Sequence, residues 1–166
     1  FMVVFGTGRF LGVGANSNTD VQALYGVRDQ GSSATSAQAF TQASLQQQYL
    51  HETSQTQPDG SVATLRCVTG SPSHTCTTSA SGGSATPINN VAASAGGWYI
   101  SLQTKTSGGT VNDAGERVVV NPSAIFASNT VVFETLITGA ASSDPCSPST
   151  VGSIMALNAL TGGSSG

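Results

Sequence analysis

The chain is short of charge, of aromatic rings and of long apolar runs, and each shortage narrows what it can be. Only 8% of its residues are charged, five basic against eight acidic. The basic side chains are scattered with no two adjacent, so no row of phosphates can be neutralised and nucleic-acid binding is not expected. No run of about 18 apolar residues exists, so no membrane span is expected, and no basic segment leads into an apolar one as in a signal peptide. Aromatic residues make up 6% and hydrophobic residues 38%, thin for an independent core in 166 residues.

Histidine, the usual neutral-pH base, occurs twice. His51 falls in a hairpin arm and His74 in a cysteine loop, and both read as surface residues. Asp113 and Glu116 bracket Ala114-Gly115 and read as loop charges, whereas a glycosidase pair comes from separate elements across a cleft. No catalytic, cofactor or metal residue is assigned. The expected function is not enzymatic.

Glycine, serine and threonine are plentiful, which suits an exported β-protein with long polar loops. Of three cysteines, Cys67 and Cys76 are separated by eight residues around Ser71-Pro72, a spacing that permits a disulfide across a turn. Free or differently paired thiols are the alternative. Cys146, in Asp144-Pro145-Cys146, is left unpaired within the segment or paired outside it. Zinc on Cys67, His74 and Cys76 is disfavoured by irregular spacing. Asn16, Asn18 and Asp20 place oxygens at alternate positions as a calcium loop does, but Val21 and Val27 stand where an EF-hand needs glycine and glutamate, so an Asx-rich turn is expected. The glycines of Gly6-Thr7-Gly8-Arg9-Phe10-Leu11-Gly12 do not fit a dinucleotide fingerprint.

The chain partly echoes itself. Ala23-Leu24-Tyr25-Gly26-Val27-Arg28-Asp29 returns as Ile154-Met155-Ala156-Leu157-Asn158-Ala159-Leu160-Thr161-Gly162, and a β-prone run precedes each, Met2 to Phe5 and Val131 to Leu136. This predicts a small antiparallel sheet used repeatedly. Phe40 to Leu50 fits a helical period weakly, but its second half, Leu45 to Thr53, reads better as a hairpin arm facing Val62 to Val68 across Pro58-Asp59-Gly60. Residues 70–95, rich in small residues and broken by Pro72 and Pro87, read as a loop insertion. Trp98 to Leu102, Glu116 to Val120, and Val131 to Ile137 read as strands, with Ser128-Asn129 a tight turn before the last. Trp98 and Tyr99 are neighbours on a strand and face opposite sides, one to the core and one out, where it could anchor a partner. Arg9 and Arg117 are expected to pair with carboxylates at strand ends.

In order, Val4-Phe5-Gly6-Thr7-Gly8-Arg9-Phe10-Leu11-Gly12, Leu24-Tyr25-Gly26-Val27-Arg28-Asp29, Gly97-Trp98-Tyr99-Ile100-Ser101-Leu102, Gly115-Glu116-Arg117-Val118, Val132-Phe133-Glu134-Thr135-Leu136-Ile137, Asp144-Pro145-Cys146 and Ile154-Met155-Ala156-Leu157-Asn158 resemble the C-terminal β-propeller domain of the PilY1 family, type IV pilus biogenesis factors and tip adhesins. The resemblance implies an all-β fold of propeller blades, with residues 1–166 the C-terminal part of a partial propeller carrying long polar insertions. It also implies an exported protein that passes the periplasm to the cell surface, pilus tip or outer membrane and supports pilus biogenesis, extension and adhesion. Its expected partners are minor pilins and pilus-tip proteins, the rest of its own propeller and N-terminal region, and a host or abiotic surface. Calcium, bound by some family members, is the one candidate cofactor. Phe1 to Phe5 reads as a strand entered midway, so the chain is read as a piece of a longer protein. The alternatives are a fragment of a quinoprotein-like propeller dehydrogenase and a generic extracellular β-sheet binding module.

Overall fold

The computed structural model describes residues 1–8, 14–15, 17–29, 31, 41–71, 87–105, 111–112, 115–125, 127–137 and 152–165. Eleven strands and one 3-10 turn, Gln42–Ser44, run through them. The first seven strands are β1 (Met2–Gly6), β2 (Ala23–Arg28), β3 (Gln46–Thr56), β4 (Val62–Thr69), β5 (Gly97–Ser101), β6 (Thr104–Lys105) and β7 (Val111–Asn112). They form one sheet in the order β1-β2-β5-β3-β6-β7, with β4 on the other side of β3. The remaining four, β8 (Arg117–Val118), β9 (Ser123–Ala124), β10 (Thr130–Leu136) and β11 (Ile154–Asn158), form a second sheet, ordered β11-β10-β8 with β9 also on β10.

The all-β class holds, but the propeller does not. Among the described residues neither sheet closes, and both are open. A propeller keeps its blades as separate four-stranded sheets around an axis. Here β3 pairs in parallel with β5, Gln46 opposite Trp98, and that non-local pairing merges the long β3–β4 hairpin with β1, β2 and β5 into a seven-stranded sheet. The two sheets then share one apolar core. Leu24, Leu50, Val68, Trp98 and Ile100 from the first meet Val118, Val131, Phe133, Met155 and Leu157 from the second.

The echoed segments are β2 and β11, and each pairs antiparallel with the run before it, β1 with β2 and β10 with β11. In β10 and β11 the period-two pattern buries Val131 and Phe133 against Leu157 and Met155 and leaves Glu134 and Ile154 exposed. Pro58-Asp59-Gly60 turns the β3–β4 hairpin, with Asp59 Oδ1 accepting from Ser61 N at 2.9 Å. Ser128 Oγ likewise accepts from Thr130 N at 3.1 Å in the turn between β9 and β10. The weak helical signal yields only the Gln42–Ser44 turn, and Glu116 to Val120 shortens to Arg117–Val118.

Within residues 70–95, the described part from 87 onward is stitched to the sheets. Ile88 and Val91 pack against the core. Fully buried Gln48 donates through Nε2 to Asn89 O at 2.8 Å and to Thr161 O at 3.1 Å, while its Oε1 accepts from Asn89 N at 2.9 Å. One side chain thus joins the first sheet, this segment and the tail after β11.

Candidate binding surface

Trp98 and Tyr99 mark the two faces of the first sheet. Trp98, fully buried, lies between two glycines from distant parts of the chain. A Cβ on Gly26 of β2 would sit 2.8 Å from indole Cζ2, and one on Gly162, after β11, would sit 2.6 Å from Cδ2. The indole Nε1 donates to Ala159 O at 2.9 Å. The indole is thus crowded at both of its rings by close backbone and its one polar atom is bonded, and Trp98 clamps the sheets together rather than offering itself to a ligand.

Tyr99 points the other way and stacks on Tyr25, ring centroids 6.2 Å apart, which stacks on Phe5 at 5.2 Å. Burial against its neighbours, and then Tyr49 and Tyr25, raise the Tyr99 phenol above its usual value. The row extends into apolar side chains in solvent, with Phe5 40%, Val3 55% and Phe1 99% exposed. On a two-sheet protein whose opposite face holds the core, such an apolar face is a candidate contact surface.

A second feature lies between the sheets. A cleft of about 500 Å3 runs between β4 and β11, walled by Thr64 to Val68 and by Gly152 to Leu157. Beside it Arg66, on β4, donates to Glu52 Oε1 at 2.7 Å through Nε and to Glu116 Oε1 at 2.6 Å through Nη1. Thr135 Oγ1 of β10 also donates to Glu116. Burial works against the Arg66 charge, but Glu116 and Glu52 outweigh it and hold the guanidinium above its usual range. This polar set crosses from one sheet to the other and was not legible as such, because its members are 14 and 50 residues apart.

Other candidates fall into structural roles. His51 is buried, not at the surface, and its Nε2 lies 2.9 Å from Thr69 Oγ1 and 3.0 Å from Ser71 O. The sequence misplaced it because the hairpin arm it occupies forms an interior strand of the sheet. Glu116 is buried as well, an inter-sheet ligand rather than a loop charge. Arg117 bonds backbone oxygens, Gly115 O at 2.9 Å and Asn18 O. Asn18 and Asp20 form the Asx turn, Asn18 Oδ1 accepting from Asp20 N at 2.9 Å. Asn16, Arg9, His74 and Asp113 lie outside the described residues.

Of the expected Cys67–Cys76 bridge, Cys67 lies on a described strand and Cys76 lies outside the described residues. No disulfide joins two described residues, since Cys76 and Cys146 lie outside them. Cys67 is a half-cystine, on β4 opposite His51, and which cysteine completes it is not defined by the described residues. Among the described residues no three His, Cys, Asp or Glu side chains gather as a metal site, and no helix is long and apolar enough to cross a membrane.

No protein-family model and no curated protein matches the chain. Among solved structures it is similar to the crystal structure of the Pseudomonas aeruginosa PilY1 C-terminal domain, with 25% sequence identity and a TM-score of 0.64. The likeness covers 98% of this chain and 28% of that one, so the chain spans little more than a quarter of that domain. What this establishes is a remote structural relationship between an all-β chain and a PilY1-type domain.

Proposed function

We propose that the chain is a non-enzymatic β-sheet binding module of an exported, cell-surface protein. The observation that carries this reading is the likeness to a PilY1 C-terminal domain along 98% of the chain. The exposed row from Phe1 to Tyr99 supplies a surface for the role, and among the described residues His51 and Glu116, two of the side chains weighed for acid–base chemistry, are engaged inside the fold. Within this reading the finer role is a factor at or near a type IV pilus tip, supporting pilus assembly, extension and adhesion, with minor pilins as the partners. The same likeness supports that role.

The test is capture of sheared type IV pili by the purified chain, scored by mass spectrometry for minor pilins, beside a Phe5→Ser, Tyr25→Ser variant. Recovery of minor pilins that falls with the variant supports the pilus role. Equal recovery by both removes the aromatic face from it, and no recovery leaves only a binding module for some other surface partner.

A further inference from the structure

The two sheets meet differently along their two sides. On one side Val118 N donates to Thr7 O at 3.0 Å and ties β8 to the end of β1. On the other side β4 and β11 flank the cleft without pairing. Most of the lining is two unbroken runs, Thr64 to Val68 and Gly152 to Leu157, with Leu50 of β3 and Ser164-Ser165 of the tail completing it. A sheet face presents alternate residues, whereas a strand edge presents successive ones, so these two walls are strand edges.

Register fixes which backbone groups face it. Gln57 N donates to Ser61 O at 2.7 Å, so antiparallel alternation turns Leu65 and Cys67 toward β3 and sends the N–H and C=O groups of Thr64, Arg66 and Val68 outward. Gly70, of the same parity, donates to Pro87 O at 2.9 Å, so the end of this edge is already paired outward. On β11 the outward groups are largely covered by the tail: Ala156 O accepts from Ser165 N at 3.2 Å and Asn158 N donates to Gly163 O at 2.7 Å. Among the described residues nothing covers the corresponding groups of β4. A row of unpaired backbone donors and acceptors is a template for one more strand.

We infer that the β4 edge binds an extended peptide strand of a partner polypeptide, uncharged and alternating apolar with polar residues, laid along the cleft toward β11. The inference deepens the reading of the chain as a binding module and rests on it. Backbone pairing at Thr64, Arg66 and Val68 continues the pairing begun at Gly70 and Pro87. Alternate side chains then point inward over the core at Val68, Met155 and Leu157, and the others face solvent. The segment is uncharged because Arg66, the charged side chain in the walls, is already held by Glu52 and Glu116.

The experiment is amide hydrogen exchange and NMR titration of the full chain with a blocked peptide alternating threonine and valine, at up to about 1 mM, the weak end of specific binding. Slowed exchange is expected at the amides of Thr64, Arg66 and Val68 and unchanged exchange at Leu65 and Cys67. A peptide with proline at its centre should bind about tenfold more weakly, as should a Thr64→Pro chain, which loses one outward N–H at an edge position that tolerates proline. If Thr64→Pro fails to fold, the proline peptide still decides. No binding, binding without protection at the three amides, or equal affinity for the proline peptide overturns the inference. So does protection of those amides before peptide is added, which would assign the edge to this chain itself, or a concentration-dependent dimer that covers it. None of these outcomes depends on pilus binding, so failure here and failure of the pilus role are separable.

Discussion

Replacing Gly26 by alanine should destabilise the protein through one neighbour, Trp98. The new Cβ would fall within contact of the indole Nε1 and Cε2 and 2.8 Å from Cζ2. The ring has little room to retreat, because Gly162 also approaches it closely and its exposure is 0%. Overpacking and loss of the Nε1–H bond to Ala159 O together should cost about 2–4 kcal/mol, a drop in Tm of about 4–16 °C. A phenyl ring lacks the atoms that meet the new methyl. Trp98→Phe should therefore be destabilising alone yet absorb most of the Gly26→Ala penalty, giving a coupling of about 1.5–3 kcal/mol in a double-mutant cycle. Urea unfolding followed by far-UV circular dichroism is the assay, since Trp98 is the one tryptophan and two of the four proteins lack it. Gly60→Ala is the control, with φ +83° and open space around it, so it carries a backbone cost of only about 1–2 kcal/mol and no coupling to Trp98. Additivity of Gly26→Ala and Trp98→Phe within about 0.5 kcal/mol would refute the clamp.

Glu116→Ala should cost about 2–4 kcal/mol in the same unfolding assay, because it strips Arg66 of one of two carboxylates and leaves Thr135 Oγ1 only Ser153 O, at 3.2 Å, as an acceptor, whereas Glu116→Gln should cost less. Gln48→Leu removes three hydrogen bonds and leaves Asn89 N and Thr161 O without that partner, so a loss of about 2–4 kcal/mol and faster exchange at Asn89 are expected. Bonds from Ser61 hold the Asp59 carboxyl below its ordinary value of 3.8, so its contribution is present above pH 3.8 and fades as pH falls through the lower folded value; Ser61→Ala should move the carboxyl NMR midpoint back up. Burial raises the Tyr99 phenol, so the neutral ring favours the fold up to pH 10 and that preference is lost as pH rises through the folded value; ultraviolet titration should find it the later-ionising ring relative to free tyrosine.

What was legible in the sequence was local. Pro58-Asp59-Gly60 carries enough turn chemistry to fix the β3–β4 hairpin, and strand alternation alone separates Trp98 from Tyr99. The echo between residues 23–29 and 154–162 marks two strands with the same local pairing, each folded back on its predecessor. What escaped were contacts between remote segments. Nothing near Gln46 announces a parallel partnership with Trp98, and that pairing decides between separate blades and one broad sheet. Gly26 and Gly162 look like ordinary flexible positions until Trp98 is placed between them. His51 and Glu116 look solvated because polarity is a local property, while their burial comes from β4, β10 and the first sheet closing over them. The relation to a PilY1-type domain was carried by the order of short segments, which is why it survives as remote likeness while the propeller architecture attached to it does not.

The measurement that goes most directly to the proposed role is amide hydrogen exchange across the full chain, free and mixed with purified type IV pili. Slowed exchange confined to β1, β2 and β5 on the aromatic face, or to the β4 edge, is the expected result and would identify the surfaces through which the module binds. Unchanged exchange throughout, with the chain folded and pili in excess, would contradict the pilus role.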